Sequence, residues 1–132
     1  MKKVLAVISL LLASANAAFA SGDIFCRSAD DNLSVSLLVS RSDTLTILRT
    51  VISIGDETWS SDSSVQAGTP IHSGQAYEND GMLLVDFIGE AAGPIVARLK
   101  AFSSEDGGDY VSGGVFTFKG KGAFVVDCSE RG

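Results

Sequence analysis

The chain has 132 residues, of which 45% are apolar, with 10 basic and 16 acidic side chains for a net charge of −6. That apolar share supplies a packed core and excludes intrinsic disorder. The acid excess removes the attraction to phosphate that dominates nucleic-acid affinity, and it disfavours anionic membrane surfaces for the same reason.

At the N-terminus, Lys2 and Lys3, the apolar run Val4 to Ala13 and the small-residue end Ala18-Phe19-Ala20 follow the order of a secretory signal peptide. Residues 1–20 are therefore expected to be removed, with Ala15-Asn16-Ala17 as a second cleavage site, leaving one domain over 21–132. Both lysines leave with the signal, so the mature chain carries 8 basic against 16 acidic groups, a net charge of −8. The apolar run is too short for a helix that spans a bilayer, and no later segment reaches the roughly 20 apolar residues needed. No cysteine follows the cleavage site directly to take a lipid. A soluble, acidic protein of the periplasm or the external medium is expected, with no membrane span.

Past the signal, two-residue alternation recurs between clusters of Gly, Asp, Asn and Ser, which is the pattern of an all-β chain. Ile24 to Arg27 reads as a first strand, closed by the turn Asp30-Asp31-Asn32. Leu33, Val35, Leu37 and Val39 form an inward row against Ser34, Ser36 and Ser40. After the turn Arg41-Ser42-Asp43, the strand Thr44 to Ile54 changes the face of its apolar residues part-way, which places a bulge near Leu48. Trp59 to Asp80 has little periodicity beyond a short edge strand at Gln75 to Tyr77. Met82 to Ile88 and Ile95 to Phe102 then pair, with Leu83, Val85 and Phe87 inward opposite Ile95, Ala97, Leu99 and Ala101. Val115 to Lys119 and Ala123 to Cys128 form the last hairpin around Gly120-Lys121-Gly122. These seven to eight strands suggest a small antiparallel sandwich or barrel.

Cys26 and Cys128 are the only cysteines, each on an apolar strand face near an end of the mature chain. In an oxidising compartment they are expected to form a disulfide that ties the terminal strands. With no Cys-x-x-Cys and a single histidine, His72, redox and zinc chemistry lack their ligands. Glu105-Asp106-Gly107-Gly108-Asp109 has the oxygen-rich chemistry of a calcium loop, but it lacks the alternating acids of an EF-hand and reads as a solvated turn. No cofactor or metal is expected.

Asn32-Leu33-Ser34 matches a glycosylation sequon, which a bacterial type of signal peptide makes coincidental. His72 has no nucleophile motif beside it, neither Gly-x-Ser-x-Gly nor Ser-x-x-Lys. Catalysis would then rest on a pair of acids of the glycosidase kind, which sixteen carboxylates permit without identifying. The candidate binding residues are Trp59, Tyr77 and Tyr110, amphipathic aromatics suited to a contact surface, together with Lys121. Trp59 to Asp80, irregular and rich in hydroxyls, is the segment expected to carry binding. Exposed strand edges offer a further route, the addition of an extended peptide.

Phe25-Cys26, Gly107-x-x-Tyr110, Phe118, Lys121-Gly122-Ala123 and the final Cys128 together resemble the outline of bacterial periplasmic inhibitors of C-type lysozyme. The resemblance covers about a quarter of the chain and implies a small β-barrel with one disulfide, exported by the same route, in which Lys121 takes the part of the inhibitory lysine. Asp106 stands where that family carries its motif serine, and the spacing from tyrosine to lysine differs by one residue. The expected function is that of a non-enzymatic module that binds a protein or an envelope component. Lysozyme inhibition and a small hydrolase built on paired carboxylates are the alternatives.

Overall fold

The computed structural model describes residues 20–90 and 92–131. Apart from Ala20, the signal read over residues 1–20 lies outside the described residues. All regular structure among them is strand: β1 (Ala20–Arg27), β2 (Leu33–Arg41), β3 (Leu45–Ile54), β4 (Glu57–Ser60), β5 (Thr69–Pro70), β6 (His72–Asn79), β7 (Met82–Ile88), β8 (Ile95–Asp106), β9 (Asp109–Phe118) and β10 (Gly122–Arg131). None of it is a helix long and apolar enough to cross a membrane. The strands form one sheet in the order β5-β4-β3-β2-β1-β10-β9-β8-β7-β6, antiparallel except for the short β4–β5 pair. β3 and β6 lie side by side without a backbone ladder, so eight strands curl into a nearly closed barrel with a seam between those two. Between a sandwich and a barrel, the structure is a barrel.

Each inward row follows from alternation. Leu33, Val35, Leu37 and Val39 of β2 are fully buried, and Leu83, Val85 and Phe87 of β7 stand beside their ladder partners Ala101, Leu99 and Ala97 of neighbouring β8, all turned inward. An eight-stranded barrel has an interior just wide enough for such side chains to fill. Phe87, Phe116 and Phe118 run down it in edge-to-face contacts, with Trp59 against Phe118 at 4.5 Å between ring centroids. Trp59, with Ile71 behind it, closes the barrel end that carries the β9–β10 turn.

The bulge falls on Leu48: Leu38 pairs with Arg49 and Val39 with Ile47, leaving Leu48 as the extra residue. A second bulge corrects the expectation for Ile95. Ile88 pairs with Ile95 but Phe87 with Ala97, so Val96 is the extra residue and packs on the core while Ile95 is turned outward. The ten strands exceed the expected seven to eight because β4 and β5, of four and two residues, are too short to show alternation.

Cys26 and Cys128 lie directly opposite each other on β1 and β10 and form a disulfide, with Cα atoms 4.1 Å apart. That separation belongs to a non-hydrogen-bonded antiparallel pair, the position where side chains lie closest. The acid loop is a hairpin turn. Asp106 pairs with Asp109, and Gly107 and Gly108, with φ of 58° and 93°, are its two central residues, the signature of a type I′ turn.

Candidate functional site

The end of the barrel opposite Trp59 is open. Two-residue alternation continues past the core on each strand, so the next inward positions are Arg41 on β2, Glu78 on β6, Ser103 on β8, Ser112 and Tyr110 on β9, and Glu130 on β10. Of these, Glu78, Ser103, Tyr110, Ser112 and Glu130 line an open cleft whose floor includes Ile24, Leu83, Ala101 and Cys128 of the disulfide. A concave apolar floor under a few convergent polar groups at a barrel mouth is a common form of binding site.

Arg41 crosses this mouth. Its Nε and Nη2 donate to Glu78 Oε2 and Oε1 at 2.8 and 2.9 Å, and its Nη1 donates to Glu130. The bidentate fork fixes the guanidinium in orientation as well as by charge. Hydrogen bonding to Glu78 first, and to Glu130 after it, raises the Arg41 pKa above its ordinary value against the opposing effect of burial. One further contact holds the rim. The Asp80-Gly81 turn, both residues at positive φ, docks on β8, where Ser103 N–H donates to Gly81 O at 2.7 Å. A side chain at Gly81 would place its Cβ 2.7 Å from Ser103 O, so only glycine permits this approach.

Charge is concentrated at the same end. Register and turns bring Asp23, Asp43, Glu78, Asp80, Glu105, Asp106, Asp109 and Glu130 there, with Arg41 and Arg131 as the only basic groups among the described residues. Eight acids against two bases leave −6, most of the −8 expected of the mature chain. The sequence could not display this, because the eight acids are scattered over more than a hundred positions and meet only through the ladder.

The candidate residues read from the sequence separate. Tyr110 is 57% exposed and lines the mouth. Tyr77 stands on the outer face, at the head of a register row that runs Tyr77, Leu84, Lys100, Val115, Val125 across five strands. Trp59 is only 8% exposed and belongs to the core, so its ring is not a contact surface. Lys121 lies at the closed end, its Nζ 2.6 Å from Glu57 Oε2 and 5.6 Å from the Trp59 ring centroid. Tyr110 and Lys121, both quoted for the resemblance to the lysozyme inhibitors, are thus at opposite ends of the barrel. Of the irregular segment from Trp59 to Asp80, only its last residues reach the mouth. The regular hairpins supply the rest of the rim.

A second cleft follows the seam, lined by Ile47 to Thr50, Ser61, Asp62, His72 and Ser73. It brings serine, histidine and aspartate together, but not as a catalytic relay. Ser61 Oγ accepts from Thr50 N–H, and the Asp62 carboxylate is engaged by Ser64. No protein-family model matches this chain, and no curated protein or solved structure matches it.

Proposed function

We propose that this protein is a non-enzymatic binding domain of the cell envelope or the external medium, and that its acidic barrel mouth takes a cationic partner. The observation that carries this reading is the coincidence of a net −6 end with an apolar-floored cleft. A focused negative field attracts a basic ligand from a distance, and the apolar floor then holds it. The disulfide supports export, since such bonds persist in oxidising compartments.

A hydrolase built on paired acids needs open space between the two carboxyls for the bond to be cleaved. Here the guanidinium of Arg41 fills that space between Glu78 and Glu130. The apolar row on the outer face, headed by Tyr77, is an alternative contact surface, but Lys100 interrupts it.

Fluorescence anisotropy with short labelled peptides of basic, neutral and acidic sequence tests the reading. Only the basic peptide is expected to bind, and more weakly as salt rises from about 10 to 150 mM, because surface charges are screened over a shrinking distance. Equal binding of basic and acidic peptides would reject it.

A further inference from the structure

We infer that the partner is an extended peptide carrying a lysine or arginine, and that it binds as an added strand in the opening between β9 and β10. This inference rests on the reading of the mouth as a cation site and goes on to name the partner's form. The β9–β10 ladder ends at Gly113 and Asp127. Past that pair, β9 continues to Asp109 joined only to β8, and β10 continues to Arg131 joined only to β1. The two strands part at the cleft, which both of them line.

The direction of the backbone groups follows from register. A two-residue hairpin makes Asp106 and Asp109 a hydrogen-bonded pair, so the next residue, Tyr110, directs its N–H and C=O away from β8 and toward β10. On the other side, Cys26 and Cys128 are a non-hydrogen-bonded pair, so Cys128 and, two residues on, Glu130 direct theirs toward β9. Tyr110 and Glu130 therefore present backbone donors and acceptors to the gap with no ladder between them. Exposed edges of this kind recruit extended chains.

Side-chain chemistry selects which chain. In an added strand, alternate residues face the barrel interior. An inward lysine or arginine lays its methylene stem on Ile24, Leu83 and Ala101 and brings its cation to Glu78 and Glu130. Those two carboxylates share one guanidinium, that of Arg41, and an incoming cation completes the charge balance. The gap spans about three residues on each side, roughly 10 Å of strand, so the recognised segment is short.

The test uses acetyl-Val-Arg-Val-amide, its analogue methylated at every peptide nitrogen, and amide hydrogen exchange of the isotope-labelled protein followed by NMR. The unmodified peptide is expected to slow exchange at Tyr110 and Glu130 by tenfold or more. The methylated analogue, with the same charge but no backbone donors, is expected to bind at least tenfold more weakly. Equal affinity of the two peptides with unchanged exchange would overturn strand addition while leaving the cation site in place. Failure of both peptides to bind at low salt would overturn the cation site, and strand addition with it.

Discussion

Asp86 sits on the outer row of β7 yet is only 4% exposed, and across the ladder Arg98 Nε donates to its Oδ1 at 2.5 Å. The contact raises the Arg98 pKa, through the hydrogen bond first and the charge second. Replacing Arg98 by Met strands a buried carboxylate, and a lower midpoint in urea denaturation is expected, because a buried charge that loses its partner is destabilising. Thr50 presents the opposite case. Its Oγ1 is buried without a protein partner, so the near-isosteric Thr50→Val is expected to raise stability by about 1 kcal/mol. At acid pH two turn carboxylates matter. Asp30 is held below its ordinary 3.8 by the Ser28 hydroxyl and then the Asn32 N–H, and Asp62 is lowered by the Ser64 hydroxyl and N–H. A depressed folded value means that the unfolded chain binds the proton first, so these contributions are present above pH 3.8 and are lost as pH falls through the folded values. A urea midpoint that is flat from pH 7 to 5 and declines below about 4 is expected, with a smaller decline in Asp30→Asn. An equal decline in that variant would show that Asp30 plays no part. The mouth residues were within reach of the same arithmetic that located the core. One more step, of two residues, along the rows of Val39, Ala76 and Cys128 arrives at Arg41, Glu78 and Glu130. Reading Arg41 as part of a turn and ending the last strand at Cys128 concealed them.

Strand pairing was legible in the sequence where alternation was long. Met82 to Ile88 has the same bounds in the structure as in the sequence reading, and the bulge at Leu48 was marked by a change of face within one strand. Strands without apolar alternation were not. β8 runs on to Asp106 and β9 begins at Asp109 through Ser, Glu and Asp residues that resemble a loop, and only the Gly107-Gly108 pair at the turn marks the hairpin. β9 also holds Gly113 and Gly114, which weaken a strand unless something approaches closely. Something does: a Cβ on Gly114 would lie 1.9 Å from Lys100 O and 2.7 Å from Ala101 Cα. Gly114→Ala is therefore expected to force β8 and β9 apart and to destabilise by about 3 kcal/mol or more, in the range of severe overpacking. An unchanged thermal midpoint would show that the two strands can separate there freely. Because β9 leads from Gly114 into the mouth, this variant is also expected to weaken any ligand held at Tyr110.

The barrel as a whole is asymmetric, plugged by Trp59, Phe118 and Ile71 at one end and open, acidic and rimmed by polar side chains at the other. The disulfide, whose cysteines are 102 positions apart in sequence, joins the first and last strands in the wall beside the open end. Replacing both cysteines by Ala is expected to lower stability by about 2 to 5 kcal/mol, the usual range for a small domain with a native disulfide, and an unchanged urea midpoint would contradict this. Composition showed the acid excess from the outset, but only the closure of the sheet assigns it to one end. The central claim, that this acidic mouth is the binding site, is tested most directly by mapping the amide shifts of the labelled protein during titration with acetyl-Val-Arg-Val-amide. Shifts confined to Gly81, Leu83, Ser103, Tyr110, Ser112 and Glu130 are predicted. Shifts centred on Trp59 and Lys121 at the closed end, or on Tyr77 and Val125 on the outer face, would contradict the account.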